Sequence, residues 1–176
     1  TDHIQNILKG IERSDPVFHP NPGLYLSKHQ RFVYSWDWHP KFTVVYTILP
    51  GATDTESVNE ADLLAFYQNN SSKYQNSLAL LNEGFQEKSH EGIAAASTQC
   101  ASIFQKFMPV QLVDELINLA PKVNALGVIR AYTGHITGLL YPGTDDLLLE
   151  SLPTIRQTFN KYSLPTLVNR ASYGII

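Results

Sequence analysis

Residues 124–142 constrain the fold most: Asn-Ala-Leu-Gly-Val-Ile-Arg-Ala-Tyr-Thr-Gly-His-Ile-Thr-Gly-Leu-Leu-Tyr-Pro. Residues 126–131 form an apolar, partly β-branched run, Leu139-Leu140-Tyr141 form a second, and Thr133-Gly134-His135-Ile136-Thr137-Gly138 separate them. This pattern predicts two short strands joined by a glycine-containing turn. Glycine tolerates positive φ and lets a ligand or a second backbone approach closely. Hydroxyls and one imidazole gather on the connection, so an anion or polar substrate could dock there; an ordinary hairpin turn accounts for the same residues.

The rest of the chain alternates helix and strand signals around this hairpin. Ile4, Ile7, Leu8 and Ile11 fall at helical spacing over residues 2–12. Arg13-Ser14-Asp15-Pro16 ends that helix, and the proline confines Asp15 to extended geometry. A carboxylate on a stiff loop, beside a hydroxyl and an arginine, suits a general base or a cation ligand; it equally suits capping of backbone groups at a turn. Leu24-Tyr25-Leu26 and Arg31-Phe32-Val33-Tyr34 read as a hairpin. Residues 42–49 are the strongest strand, apolar enough to predict burial on both faces.

Helices are expected over residues 61–67, 74–87, 90–107 and 110–119, with 69–72 as a polar loop and Pro121 as a stop. The run Ala94-Ala95-Ala96-Ser97 would permit close packing against a neighbour. Thr144-Asp145-Asp146 signals the start of a last helix, which Pro153 kinks or restarts and which ends near residue 162. Residues 164–168 and 171–176 are two further strand candidates. The sum is one α+β domain over residues 1–176, a mostly antiparallel sheet covered by helices.

A length of 176 residues with 43% hydrophobic and 16% charged residues is ample for a real core. A net charge of −3 without a basic block marks no nucleic-acid or membrane-surface partner, and no apolar run approaches the roughly 18 residues of a membrane helix. Thr1-Asp2-His3-Ile4 reads as neither signal peptide nor initiator methionine, and Cys100 stands alone, so a reducing cytoplasm is the expectation. The sequons at Asn69-Asn70-Ser71-Ser72 are read as polar loop. None of the six histidines forms an i, i+4 pair, and no metal site is expected. Phosphate-loop, dinucleotide, nucleophile-elbow and zincin patterns are all missing.

Two stretches taken together resemble a divergent branch of the GHMP kinases, which includes L-threonine kinases of cobalamin synthesis and propanediol utilisation. Residues 127–140, Gly-Val-Ile-Arg-Ala-Tyr-Thr-Gly-His-Ile-Thr-Gly-Leu-Leu, resemble its C-terminal glycine motif. Ile11-Glu12-Arg13-Ser14-Asp15-Pro16 and Leu24-Tyr25-Leu26-Ser27-Lys28-His29 resemble its acidic passage and the strand after it. The resemblance implies a ferredoxin-like GHMP C-terminal domain on the substrate side of a nucleotide-binding kinase. The ATP loop of such enzymes, a Pro-x-x-x-Gly-x-x-Ser-Ser type segment, belongs to an N-terminal domain, and nothing here matches it. ATP and Mg2+ are therefore expected in the complete enzyme and not on this chain alone.

By that resemblance Asp15 is the cleft carboxylate, flanked by Glu12 and Ser14. Thr133, Gly134, His135, Thr137 and Gly138 form the turn that closes on phosphate or substrate. Implied partners are a small-molecule hydroxyl substrate, the N-terminal kinase domain and a second copy in a homodimer. Tyr132 stands where the branch has histidine, which bears on the identity of the acceptor. A ligand-sensing or oligomerisation module without catalysis is the competing expectation.

Overall fold

The structure, a computed structural model, describes residues 21–26, 29, 31–51, 58–131, 135–143 and 147–170. The chain divides into two compact units, Thr1–Pro40 and Lys41–Ile176. The helix expected over residues 2–12, the cap at 144–146 and the strand at 171–176 lie outside the described residues.

In the first unit, β1 (Gly23–Leu26) pairs antiparallel with β2 (Arg31–Ser35), the hairpin expected from the sequence. Leu24 faces Tyr34 but Tyr25 faces Phe32, so Val33 is an extra residue that bulges β2. Tyr25 and Phe32 make a cross-strand ring contact at 5.1 Å. Behind the hairpin the Trp36 amide donates to the Pro22 carbonyl, and Asn21 contacts Asp37 and His39 through its side chain.

The second unit carries a four-stranded antiparallel sheet. Its strands are β3 (Phe42–Ile48), β4 (Gly127–Arg130), β5 (Ile136–Pro142) and β6 (Leu167–Arg170), in spatial order β4-β5-β3-β6. β3 and β4 flank β5, while β5 and β6 flank β3. These are two interlocked split β-α-β units, the ferredoxin-like strand order. Among the described residues, the link from β3 to β4 holds four helices: α1 (Glu60–Asn69), α2 (Ser71–Gln86), α3 (His90–Phe104) and α4 (Gln111–Leu119), the last continued by a 3₁₀ turn at Ala120–Val123. α5 (Leu147–Asn160) joins β5 to β6.

One face of the sheet makes the core. Val45, Val128, Leu139 and Tyr141 meet Leu112 and Leu116 of α4 and Ile155 and Phe159 of α5. The buried carbonyl of Val123 accepts from both the Tyr141 and the Ser151 hydroxyls, which ties the 3₁₀ turn to β5 and α5. The other face differs from the expectation of two-sided burial. Phe42 is covered and makes an edge-on ring contact with His90, but exposure reaches 49% at Ile48 and 37% at its cross-strand partner Ile136.

Two helix expectations also change. Residues 69–72 are not a loop: α1 and α2 abut at Asn70, whose side-chain amide donates to the Phe66 carbonyl. Of the stripe expected on α2 at Leu78, Leu81 and Phe85, only Phe85 is buried, together with Ser77 and Gly84, while Leu78 and Leu81 are half-buried. Glycine is required at 84 because a Cβ there would stand 2.8 Å from the backbone nitrogen of Ile93 on α3.

A candidate site at the end of the β4–β5 hairpin

Asp15, Glu12 and Ser14, with Thr133 and Gly134, lie outside the described residues. The structure does place His135, Thr137 and Gly138. The bend expected at 133–138 ends earlier, since Thr137 and Gly138 are already within β5. His135 is half-buried beside the first residue of that strand, and its carbonyl accepts from the Leu49 amide at 2.6 Å. The Thr137 side chain is fully buried and its hydroxyl donates to the Ile129 carbonyl at 3.0 Å. That hydroxyl therefore closes the hairpin rather than facing a ligand.

Gly138 pairs with Tyr46, and a Cβ on it would stand 2.3 Å from the Val45 carbonyl oxygen. Close approach of β3 and β5 explains this glycine without any ligand. So of the turn residues expected to close on phosphate, Thr137 and Gly138 have structural duties.

The register sets a polar row across this end of the sheet, because Arg130 and Thr47 both face Thr137. The next row inward is Val128, Leu139, Val45 and Val168. Thr47 is fully buried, and its hydroxyl has no hydrogen-bond partner among the described residues. Buried unpaired hydroxyls are uncommon.

Arg130 is the charged centre of the region. Its terminal nitrogens donate to Gln105 Oε1 and to the Met108 carbonyl, and its guanidinium lies 5.0 Å from the centre of the Phe104 ring. Gln105 is itself held by reciprocal bonds to the Val110 backbone, so the α3–α4 connection forms a fixed cradle. Burial pulls the Arg130 pKa down, against the attraction of Asp114 and Tyr74. No carboxylate forms an ion pair with Arg130 among the described residues.

Beside it is a hollow of about 240 Å³ lined by Tyr67, Tyr74, Cys100, Phe104, Arg130 and Ala131, among others. Arg130 was not singled out from the sequence. The available signal was its position as the charged residue of an otherwise apolar run, 126–131. Among the described residues there is no group of three or more His, Cys, Asp or Glu side chains that could hold a metal ion, and no helix is long and apolar enough to cross a membrane.

Fold and geometry thus define an α+β protein with a ferredoxin-like unit and a polar, arginine-bearing end to its sheet. No family model matches the sequence, and no curated protein matches it. A solved structure, the Lin0012 protein from Listeria innocua, superposes with a TM-score of 0.50 at 16% identity, over 80% of this chain and 43% of that one. A homoserine kinase from Cytophaga hutchinsonii ATCC 33406 superposes with a TM-score of 0.49 at 9% identity, over 76% of this chain and 42% of that one. The likeness to the Lin0012 protein is one of fold, and this chain spans less than half the length of either structure.

Proposed function

We propose that this chain is the C-terminal, substrate-side part of an ATP-dependent small-molecule kinase of the GHMP type. It would act with a separate ATP-loop domain and transfer the γ-phosphate to a hydroxyl acceptor, with L-threonine and other hydroxy amino acids the first to test. One observation carries the reading: the segment resembling the GHMP glycine motif is the β4–β5 hairpin of a sheet with the ferredoxin-like strand order that the same resemblance implies.

In the reaction the acceptor oxygen forms a bond to the γ-phosphorus, the bond to the ADP oxygen breaks, and the acceptor proton passes to Asp15 or to solvent. Glu12 and Ser14 would position that carboxylate, and Thr133, Gly134 and His135 would supply hydroxyl, backbone and imidazole groups to the phosphate. Bound ATP and Mg2+ would supply the transferable group and the charge neutralisation. Such transfers depend mainly on positioning and on stabilising charge, for which groups of this kind suffice. Tyr132 would shape the acceptor side in place of the branch's histidine.

The test is phosphoryl transfer from ATP to a panel of small alcohols, using protein expressed from the complete reading frame that contains this chain. Turnover with a hydroxy amino acid is expected, and Asp15→Asn should lower it ~10²-fold or more if Asp15 is the base. A panel without any turnover, in protein that binds ATP, would reject the kinase reading. The second reading, a ligand-sensing module, is favoured by the arginine-bearing hollow, whose described lining residues belong to the Lys41–Ile176 unit.

A further inference from the structure

A partly buried guanidinium usually sits against a carboxylate, because burial of an unpaired charge is costly. Arg130 instead has neutral partners, a glutamine amide oxygen and a backbone carbonyl, with an aromatic face beneath it. Its Nε is buried and has no hydrogen-bond partner among the described residues. These contacts fix the direction of the group, Asp114 attracts it without forming an ion pair, and an arginine stays charged throughout the physiological range. The positive field therefore reaches into the adjoining hollow.

The hollow's volume, about 240 Å³, matches about eight waters at liquid density. Its walls select what could fill it. Tyr67 and Tyr74 meet at 5.2 Å, and Phe66 packs on Tyr74 and Phe104 at 6.5 and 6.2 Å. Interlocked rings of this kind make a rigid apolar surface. The Ser97 hydroxyl donates to the Val128 carbonyl, so it serves the sheet edge. A dianionic phosphate needs several donors or cations, and one guanidinium with two engaged nitrogens matches a single carboxylate better.

We propose that this hollow binds a small organic carboxylate with an apolar or aromatic body. The carboxylate lies on Arg130 and the body lies among Tyr67, Tyr74 and Phe104. A ligand the size of an amino acid or a keto acid would fit the hollow's volume of about 240 Å³. The inference stands whether or not the chain belongs to a kinase.

Cys100, the chain's single cysteine, is half-buried and lines the hollow, so it reports occupancy directly. In the full chain, alkylation of Cys100 by iodoacetamide is followed with benzoate, with benzyl alcohol and with inorganic phosphate. Benzoate should slow alkylation saturably, about five-fold or more at millimolar concentration, a level typical of fragment-sized ligands. Benzyl alcohol, of similar size without the charge, should not.

Arg130→Gln, verified as folded by its near-ultraviolet circular dichroism, should lose the protection. If that variant fails to fold, the contrast between benzoate and benzyl alcohol in the unsubstituted chain decides alone. Equal protection by both compounds, protection by phosphate and not by benzoate, or protection that survives in folded Arg130→Gln would each overturn the proposal.

Discussion

A methyl group on Gly138 would collide with the Val45 carbonyl and with Tyr46, at 2.3 and 2.7 Å from their nearest atoms. Neither contact is the far end of a flexible side chain, so β3 and β5 would have to part. Gly138→Ala is expected to cost about 3 kcal/mol, the upper end of ordinary overpacking, read as a lower urea midpoint with unchanged slope. A loss of less than about 0.5 kcal/mol would show that the strands yield here, and would return Gly138 to the candidates for ligand contact. The Tyr162 hydroxyl donates to Glu115 at 2.6 Å, and this bond to a carboxylate holds its pKa up at about 12 against an ordinary 10.0. The protonated phenol is the bonded form, so the contribution is whole below pH 10 and is lost as pH rises through about 12. The stability gap between the wild type and Tyr162→Phe should close over that window, as melting temperatures across an alkaline series would record. A gap that persists unchanged at pH 12 would assign Tyr162 to packing alone.

At the scale of elements, α3 does the most to hold the candidate site in place. β4 is an edge strand, and unpaired edge groups invite further strands. Here α3 covers the edge: the Thr98 hydroxyl accepts from the Val128 amide at 2.9 Å and donates to the Ala94 carbonyl, while the Ser97 hydroxyl donates to the Val128 carbonyl at 2.8 Å. Gly127 allows the approach, since a Cβ there would lie 2.5 Å from the Ala94 carbonyl oxygen. Thr98→Val should cost about 2 kcal/mol by leaving a buried amide unpaired, and the Val128 amide should then exchange with deuterium faster than its β5 neighbours. Unchanged exchange at Val128 would mean that water replaces the hydroxyl. The sequence announced part of this, because the small residues at 94–97 predicted a close neighbour. It did not say which neighbour, since strand and helix are 30 residues apart and their pairing depends on the whole crossover. Local signals also misled at 69–72, where polar residues continue from one helix into the next, and Pro153 does not restart the last helix. That proline sits within an unbroken α5, on its exposed side. The carbonyl it leaves without a partner is that of Leu149, also exposed, where water can serve it. The strands and the hairpin were legible because their periodicity is local; Arg130 was not, because its neighbours come from α3 and the α3–α4 connection.

For the molecule as a whole, the main core cluster and all four strands of the larger sheet fall within Lys41–Ile176. Both split β-α-β units close there, and the described residues that line the arginine hollow lie there too. The first unit offers a two-stranded sheet, which is marginal by itself in water. A chain of residues 41–176 should therefore unfold cooperatively, within about 2 kcal/mol of the full chain, a difference of roughly 4–8 °C in melting temperature at this size. Protection of Cys100 by benzoate should persist in it, because every residue proposed for it remains. Loss of cooperative melting would show that the second unit needs the first to fold. Retained melting with lost benzoate protection would instead place part of the carboxylate site in residues 1–40, and the lining described for the hollow would then be incomplete.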